Sequence, residues 1–123
     1  MKLLFDEASV SCSQLITKKY STSFSLAIQL LSPKMQNAIY AIYGFVRLAD
    51  EIVDSFHDYP QSDLLQKFEA DYYDALEHKI SLNPVLNCFQ SVVHQYGLQE
   101  LVVPFLASMK MDLDKKQYHS VEE

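Results

Sequence analysis

Asp50 and Asp54 stand four residues apart in the run Arg47-Leu48-Ala49-Asp50-Glu51-Ile52-Val53-Asp54, inside a long stretch that otherwise reads as a buried helix. At 100° per residue, Tyr43, Arg47, Asp50 and Asp54 fall in one sector roughly 60° wide. Desolvating carboxylates is costly unless something compensates them. A buried helix that aligns two acids with an arginine and a tyrosine is therefore suited to holding a charged ligand, most naturally a hard cation that bridges to an anion. Two oxygen ligands on adjacent turns suit Mg²⁺, which keeps several waters and takes the rest of its shell from phosphate oxygens. They do not suit zinc, which wants nitrogen or sulfur, and the paired Glu-x-x-His pattern of di-iron bundles is missing. The plainer alternative is a solvated acidic helix edge.

Two other clusters could contribute. In Tyr20-Ser21-Thr22-Ser23-Phe24 the hydroxyls of Ser21 and Ser23, with nearby backbone N–H groups, could donate to phosphate oxygens; as an alternative they cap a helix. In Met109-Lys110-Met111-Asp112-Leu113-Asp114, Asp112 lies one turn beyond an inward Met109, whereas Asp114 points elsewhere and is expected in solvent. Asp112 and Lys116 are also spaced to form a routine surface pair. His57, His78, His94 and His119 share no spacing and read as surface or capping residues. No G-x-S-x-G, H-E-x-x-H or P-loop pattern occurs.

The elements that must position these groups are helical almost throughout. A first helix is expected from an N-cap at Asp6 to about Tyr20, with Ala8, Cys12, Leu15 and Ile16 inward. The hydroxyl run from Ser21 to Ser25 competes with backbone hydrogen bonding and should break it, with a short helix over Leu26 to Leu31. Ser32-Pro33 is a start signal for a helix to about Phe56. Its apolar residues Ile39, Ile42, Phe45, Val46 and Val53 spread widely around the axis, as expected deep in a bundle. A stripe of Leu64, Leu65, Phe68, Tyr72, Ala75, Leu76 and Ile80 predicts a helix from about Ser62 to Lys79. Asn83-Pro84 opens another with Leu86, Phe89, Val92, Val93 and Tyr96 inward and Gly97 as its stop. The last should cover about Gln99 to Lys116, with Pro104 in its first turns and Leu101, Phe105, Leu106 and Met109 inward.

The chain's 123 residues are enough for one domain and too few for two. With 49% hydrophobic residues it should fold. Only 2 glycines argue against a hairpin-rich β fold and leave little for a phosphate-cradling glycine loop. A net charge of −6 argues against nucleic acid as a partner. Cys12 and Cys88 match no metal or disulfide spacing. Met1 to Phe5 is too short for a secretion signal, so a reducing cytoplasm is the expected compartment. No run of about 18 apolar residues could span a bilayer, which leaves room for peripheral contact at the inner membrane face.

At these three clusters the chain resembles the squalene and phytoene synthase family of prenyl transferases, most nearly its bacterial phytoene synthases. The resemblance runs in order through Tyr20 to Phe24, Ser32-Pro33, the helix from Ile39 to Asp54 and Met109 to Asp112. The specific match is A-I-Y-x-F-x-R-x-A-D-E-x-V-D, close to the family's first aspartate-rich motif. It implies an all-α isoprenoid-synthase bundle around a deep cavity, with head-to-head joining of two allylic prenyl diphosphates by way of a cyclopropylcarbinyl diphosphate. By matching position, Asp50 and Asp54 would hold Mg²⁺ against a substrate diphosphate. Arg47, Ser21 and Ser23 would contact its oxygens, while Tyr43, Phe24 and Asp112 would line the site.

The family carries a second aspartate-rich helix far beyond the first and a domain more than twice this length. Residues 1–123 are therefore expected to be the N-terminal portion of one synthase domain, inactive in isolation, with exposed inner faces that favour aggregation. A phytoene-type reaction on two geranylgeranyl diphosphates is the leading expectation. A squalene-type reaction on two farnesyl diphosphates and a non-catalytic scaffold of the same family are the alternatives.

Overall fold

Local capping chemistry sets the boundaries of the helices. The computed structural model describes the backbone of residues 2–122 and the side chains of residues 2–116. Six helices follow one another: α1 (Lys2–Tyr20), α2 (Thr22–Ile28), α3 (Pro33–Asp54), α4 (Gln61–His78), α5 (Pro84–Tyr96) and α6 (Gln99–Glu122). No strand occurs among the described residues, so the all-α expectation holds. Pro33 and Pro84 occupy first-turn positions, where a missing N–H costs nothing. Asn83 caps α5, its side-chain oxygen accepting from the Val85 and Leu86 N–H groups at 3.0 and 3.3 Å. Gly97 stops α5 in the left-handed region at φ 65°.

The core gathers on one face of α3. Ala41, Phe45, Ala49, Ile52 and Val53 are buried, and Phe45 is the hub. Its ring stacks on Phe89 of α5 at 4.0 Å between centroids and on Phe68 of α4 at 5.1 Å, and meets Phe105 of α6 at 5.8 Å. The end of α3 is tied down by buried Gln61, whose amide donates to the carbonyls of Ile52 and Val53 at 2.8 and 3.2 Å. Those carbonyls are among the four that a helix C-terminus leaves without intrahelical partners. Asp54, the last residue of α3, thus projects from a fixed end.

Several sequence expectations are corrected. Helix α1 starts at Lys2, so Asp6 is no N-cap; it lies inside the helix, accepting from Lys2 Nζ at 2.9 Å and from Asn87 Nδ2 at 2.9 Å. The inner face of α1 is Ser9, Ser13 and Thr17, all fully buried, whereas Ala8 and Leu15 are exposed and Cys12 and Ile16 half-buried. The helix is turned by one residue, about 100°, from the apolar reading. Small hydroxyl residues can face inward because Ser9 and Thr17 donate to the carbonyls of Phe5 and Ser13 on their own helix, at 2.8 and 2.9 Å. Their size also lets α1 lie close against Gly44 of α3, where an added Cβ would stand 3.2 Å from Ser13 Oγ.

The short second helix covers Thr22–Ile28 instead of Leu26 to Leu31, because Ser21 caps it early. Ser32 makes no side-chain cap bond. Leu101 and Tyr96 are exposed, at the outer sides of α6 and α5, and Ile80 is exposed beyond the end of α4. The expectation for His119 falls outside the described side chains. His57, His78 and His94 are exposed, as expected.

Candidate functional site

The face of α3 away from the Phe45 hub carries Tyr43, Arg47 and Asp50, each half-buried, and then Asp54, which is exposed. The sequence expectation of a wholly buried acid pair is therefore corrected at Asp54. Its helix ends there, and Lys116 of α6 reaches it, the ammonium pairing with the Asp54 carboxylate. Both side chains of that pair are about half exposed. The i, i+4 alternative of Asp112 with Lys116 is not the pairing seen, since Lys116 reaches across to α3 instead.

Asp50 is the strained member. Burial pushes its carboxyl above the ordinary carboxylate range. The negative charge of Asp54 pushes it further, Arg47 and Lys116 pull it back, and Asp112 adds a smaller upward push. Three aspartates from two helices thus share one electrostatic neighbourhood, although Asp112 itself is exposed rather than inward.

Arg47 sits one turn earlier. Its Nη2 donates to Glu51 Oε2 at 2.5 Å, and its guanidinium carbon lies 4.5 Å from the ring centroid of Tyr20 at the end of α1. The Glu51 hydrogen bond holds the guanidinium more firmly charged, and the same bond lowers the Glu51 carboxyl. Among the described residues the Arg47 Nε is buried without a hydrogen-bond partner. A buried cationic donor left unpaired is costly.

The hydroxyl cluster follows directly on Tyr20, whose ring meets this arginine. Ser21 accepts from the Phe24 N–H at 3.2 Å, the capping alternative for that residue, while Ser23 is exposed. Capping places Phe24 against Tyr43, with ring centroids 5.3 Å apart. Tyr20 thus meets Arg47, while Phe24 pairs with Tyr43, one turn before Arg47 on α3. A cleft of about 460 Å³ opens elsewhere, between α4 and α6, lined by Leu65, Glu69, Tyr73 and Lys110 among others. Neither Asp50 nor Asp54 lines it, and the charged face of α3 has the stronger chemical claim.

The donor set fits a hard dication. Among the described residues no group of three or more His, Cys, Asp or Glu side chains could hold a metal by itself. Mg²⁺ does not need such a cage; one or two carboxylates with water and phosphate oxygens suffice. Asp50 and Asp54 are the residues that would hold it.

Sequence reasoning named Tyr43, Arg47, Asp50 and Asp54 as one face, and the structure keeps them on it. It missed Glu51, Tyr20 and Lys116 as their partners. The i, i+4 spacing of Arg47 and Glu51 was a usable signal; the reach of Lys116 across helices was not.

Fold and site together define an all-α protein whose third helix presents acids and one arginine beside aromatic rings. The squalene/phytoene synthase family model matches residues 17–123, and the chain belongs to that family. It is 30% identical to phytoene synthase 3, chloroplastic, of Zea mays, over 88% of this chain and 26% of that protein. Phytoene synthase of Arthrospira platensis is also 30% identical, over 91% of this chain and 36% of the relative. Phytoene synthase 2, chloroplastic, of Solanum lycopersicum is 29% identical over 98% and 39%. The chain thus spans between about a quarter and two fifths of the length of these curated relatives. No solved structure gives a significant match. Among the described residues no helix is long and apolar enough to cross a membrane.

Proposed function

We propose that this chain carries the first aspartate-rich wall of a phytoene-type synthase, which joins two geranylgeranyl diphosphates head to head in a Mg²⁺-dependent reaction. The observation that carries the reading is the shared face of α3 on which half-buried Arg47 and Asp50 stand one turn apart, with Asp54 one turn further on. Acids cannot face a diphosphate without an intervening cation. Asp50 and Asp54 would hold Mg²⁺, which supplies neutralisation of the leaving group's charge.

The residues of this chain do the rest. Arg47 and the hydroxyls of Ser21 and Ser23 donate to diphosphate oxygens, and fixed donors of this kind stabilise charge as it develops. When the allylic C–O bond breaks, its electron pair leaves with the diphosphate and the carbon becomes cationic. The rings of Phe24 and Tyr43, 5.3 Å apart, would offer their faces to such a cation, a contact that contributes about 2 kcal/mol when desolvated. Asp112 adds negative charge to the same neighbourhood. Turnover also needs a closed cavity and a second acidic wall, so the 123 residues by themselves are proposed to bind without catalysing.

Calorimetric titration of the chain with geranylgeranyl diphosphate tests the reading. Binding should require Mg²⁺, weaken in Asp50→Asn, and exceed binding of farnesyl diphosphate, with no phytoene formed. Binding that ignores removal of Mg²⁺ would refute it, and a preference for the farnesyl chain would move the assignment to the squalene-type reaction.

A further inference from the structure

Arg47 is the chain's one arginine, and it is gripped from two sides. Glu51 accepts from Nη2 one turn along α3, and the Tyr20 ring of α1 lies 4.5 Å from the guanidinium carbon. The carboxylate fixes one donor of the planar fork and the ring fixes its face, while among the described residues the buried Nε has no partner. We propose that Glu51 and Tyr20 are positioning residues that hold the Arg47 guanidinium in one orientation, so that a diphosphate meets it already ordered. This rests on the diphosphate reading of the site and adds residues to it.

A negative charge beside an anion-binding arginine is unfavourable on charge alone, since removing it should strengthen attraction for a diphosphate. Its presence makes sense if orientation outweighs that cost. Arginine recognises phosphate through a fixed fork of donors, and holding a long side chain in place beforehand spares its ordering on binding. The two effects have opposite signs, so they can be separated.

Glu51→Gln and Glu51→Ala both remove the charge, but only glutamine keeps an acceptor for Nη2. With inorganic diphosphate and Mg²⁺ as the probe in calorimetry, Glu51→Gln should bind at least as tightly as the unsubstituted chain. Glu51→Ala should bind about three- to tenfold more weakly than Glu51→Gln, the range expected for freeing one rotamer-rich side chain. Tyr20→Leu should weaken binding in the same direction.

Because there is a single arginine, one Nε–H cross-peak in a ¹⁵N-correlated NMR spectrum reports on it without assignment. That peak should be sharp and slow to exchange with water in the unsubstituted chain and in Glu51→Gln. In Glu51→Ala it should be lost to exchange, while the melting temperature shows the fold intact. Equal diphosphate affinity in Glu51→Ala and Glu51→Gln, or a protected Nε–H that survives in Glu51→Ala, would overturn the proposal. An Arg47→Ala chain that binds diphosphate as well as the unsubstituted one would overturn the diphosphate reading instead, while the Nε–H of the unsubstituted and Glu51-substituted chains would still report the grip of Glu51.

Discussion

Replacing Gly44 by alanine should loosen the seam on which the site depends. An alanine Cβ at this position would stand 3.2 Å from Ser13 Oγ, 3.3 Å from Ser13 Cβ and 3.5 Å from Ser13 Cα. Carbon contacts are comfortable at about 3.5–4.0 Å, so α1 must retreat from α3 by a few tenths of an ångström. Ser13 is fully buried, one turn from Ser9 and one from Thr17 on the inner face of α1. Overpacking of this kind costs about 1–3 kcal/mol. Against it, alanine is about 1 kcal/mol better than glycine inside a helix. The net expectation is a destabilisation of about 1 kcal/mol, or roughly 4 °C in Tm for a chain of this size.

The shift also carries Tyr20, at the far end of α1, away from Arg47. The assay is thermal unfolding followed by circular dichroism for Gly44→Ala, Ser13→Gly and the double variant. Moving the glycine from α3 to α1 restores the space, so the double variant should lie within about 0.5 kcal/mol of the unsubstituted chain. The coupling energy between the two sites should then be about 1 kcal/mol or more, as for residues in contact. A Gly44→Ala chain that melts at or above the unsubstituted temperature, or strict additivity in the double variant, would refute the close-packed seam.

Asp50→Asn should stabilise the fold. The raised carboxyl of Asp50 means that the folded state holds its proton more tightly than the unfolded state, whose value is about 3.9. Stability therefore falls as pH rises from the unfolded value through the raised folded one, and the penalty is fully present above it. The Tm advantage of Asp50→Asn should grow from pH 3 to a plateau near neutrality; an advantage independent of pH would contradict the burial argument. Lys116→Ala should change stability by at most about 1 kcal/mol, because its pair with Asp54 is half in water. It should at the same time tighten Mg²⁺ binding in calorimetry by removing a competing cation, and weaker Mg²⁺ binding would count against Asp54 as a ligand. Asn87→Ala should cost about 1–3 kcal/mol in urea unfolding, since the buried amide bridges Asp6 and Ser9 of α1 at 2.9 and 3.1 Å. A smaller loss would mean that α1 is held by packing alone.

Short-range rules made much of this protein readable from its residues alone. Asn83-Pro84 and Gly97 bracket α5 because capping and left-handed φ are local properties. The placement of Tyr43, Arg47, Asp50 and Asp54 on one face follows from helical periodicity, and the apolar stripe of Leu65, Phe68, Tyr72 and Ala75 follows from it too. The family resemblance was likewise legible, because its motif is contiguous on that helix. What spacing left open is how far each acid is drawn from water, and which cation answers it.

Only tertiary packing decided those matters. Pattern reading ranks serine and threonine as outward, yet Ser9, Ser13 and Thr17 face inward, since side-chain bonds along α1 satisfy Ser9 and Thr17 and small volume permits close approach to Gly44. Asp50 is half-buried and Asp54 exposed, since Asp50 lies within α3 whereas Asp54 is its last residue. Lys116 meets Asp54 across 62 residues of chain, a distance over which no periodicity in the sequence carries information. Burial and charge are properties of neighbours in space, and the amino-acid order specifies those neighbours only through the whole fold.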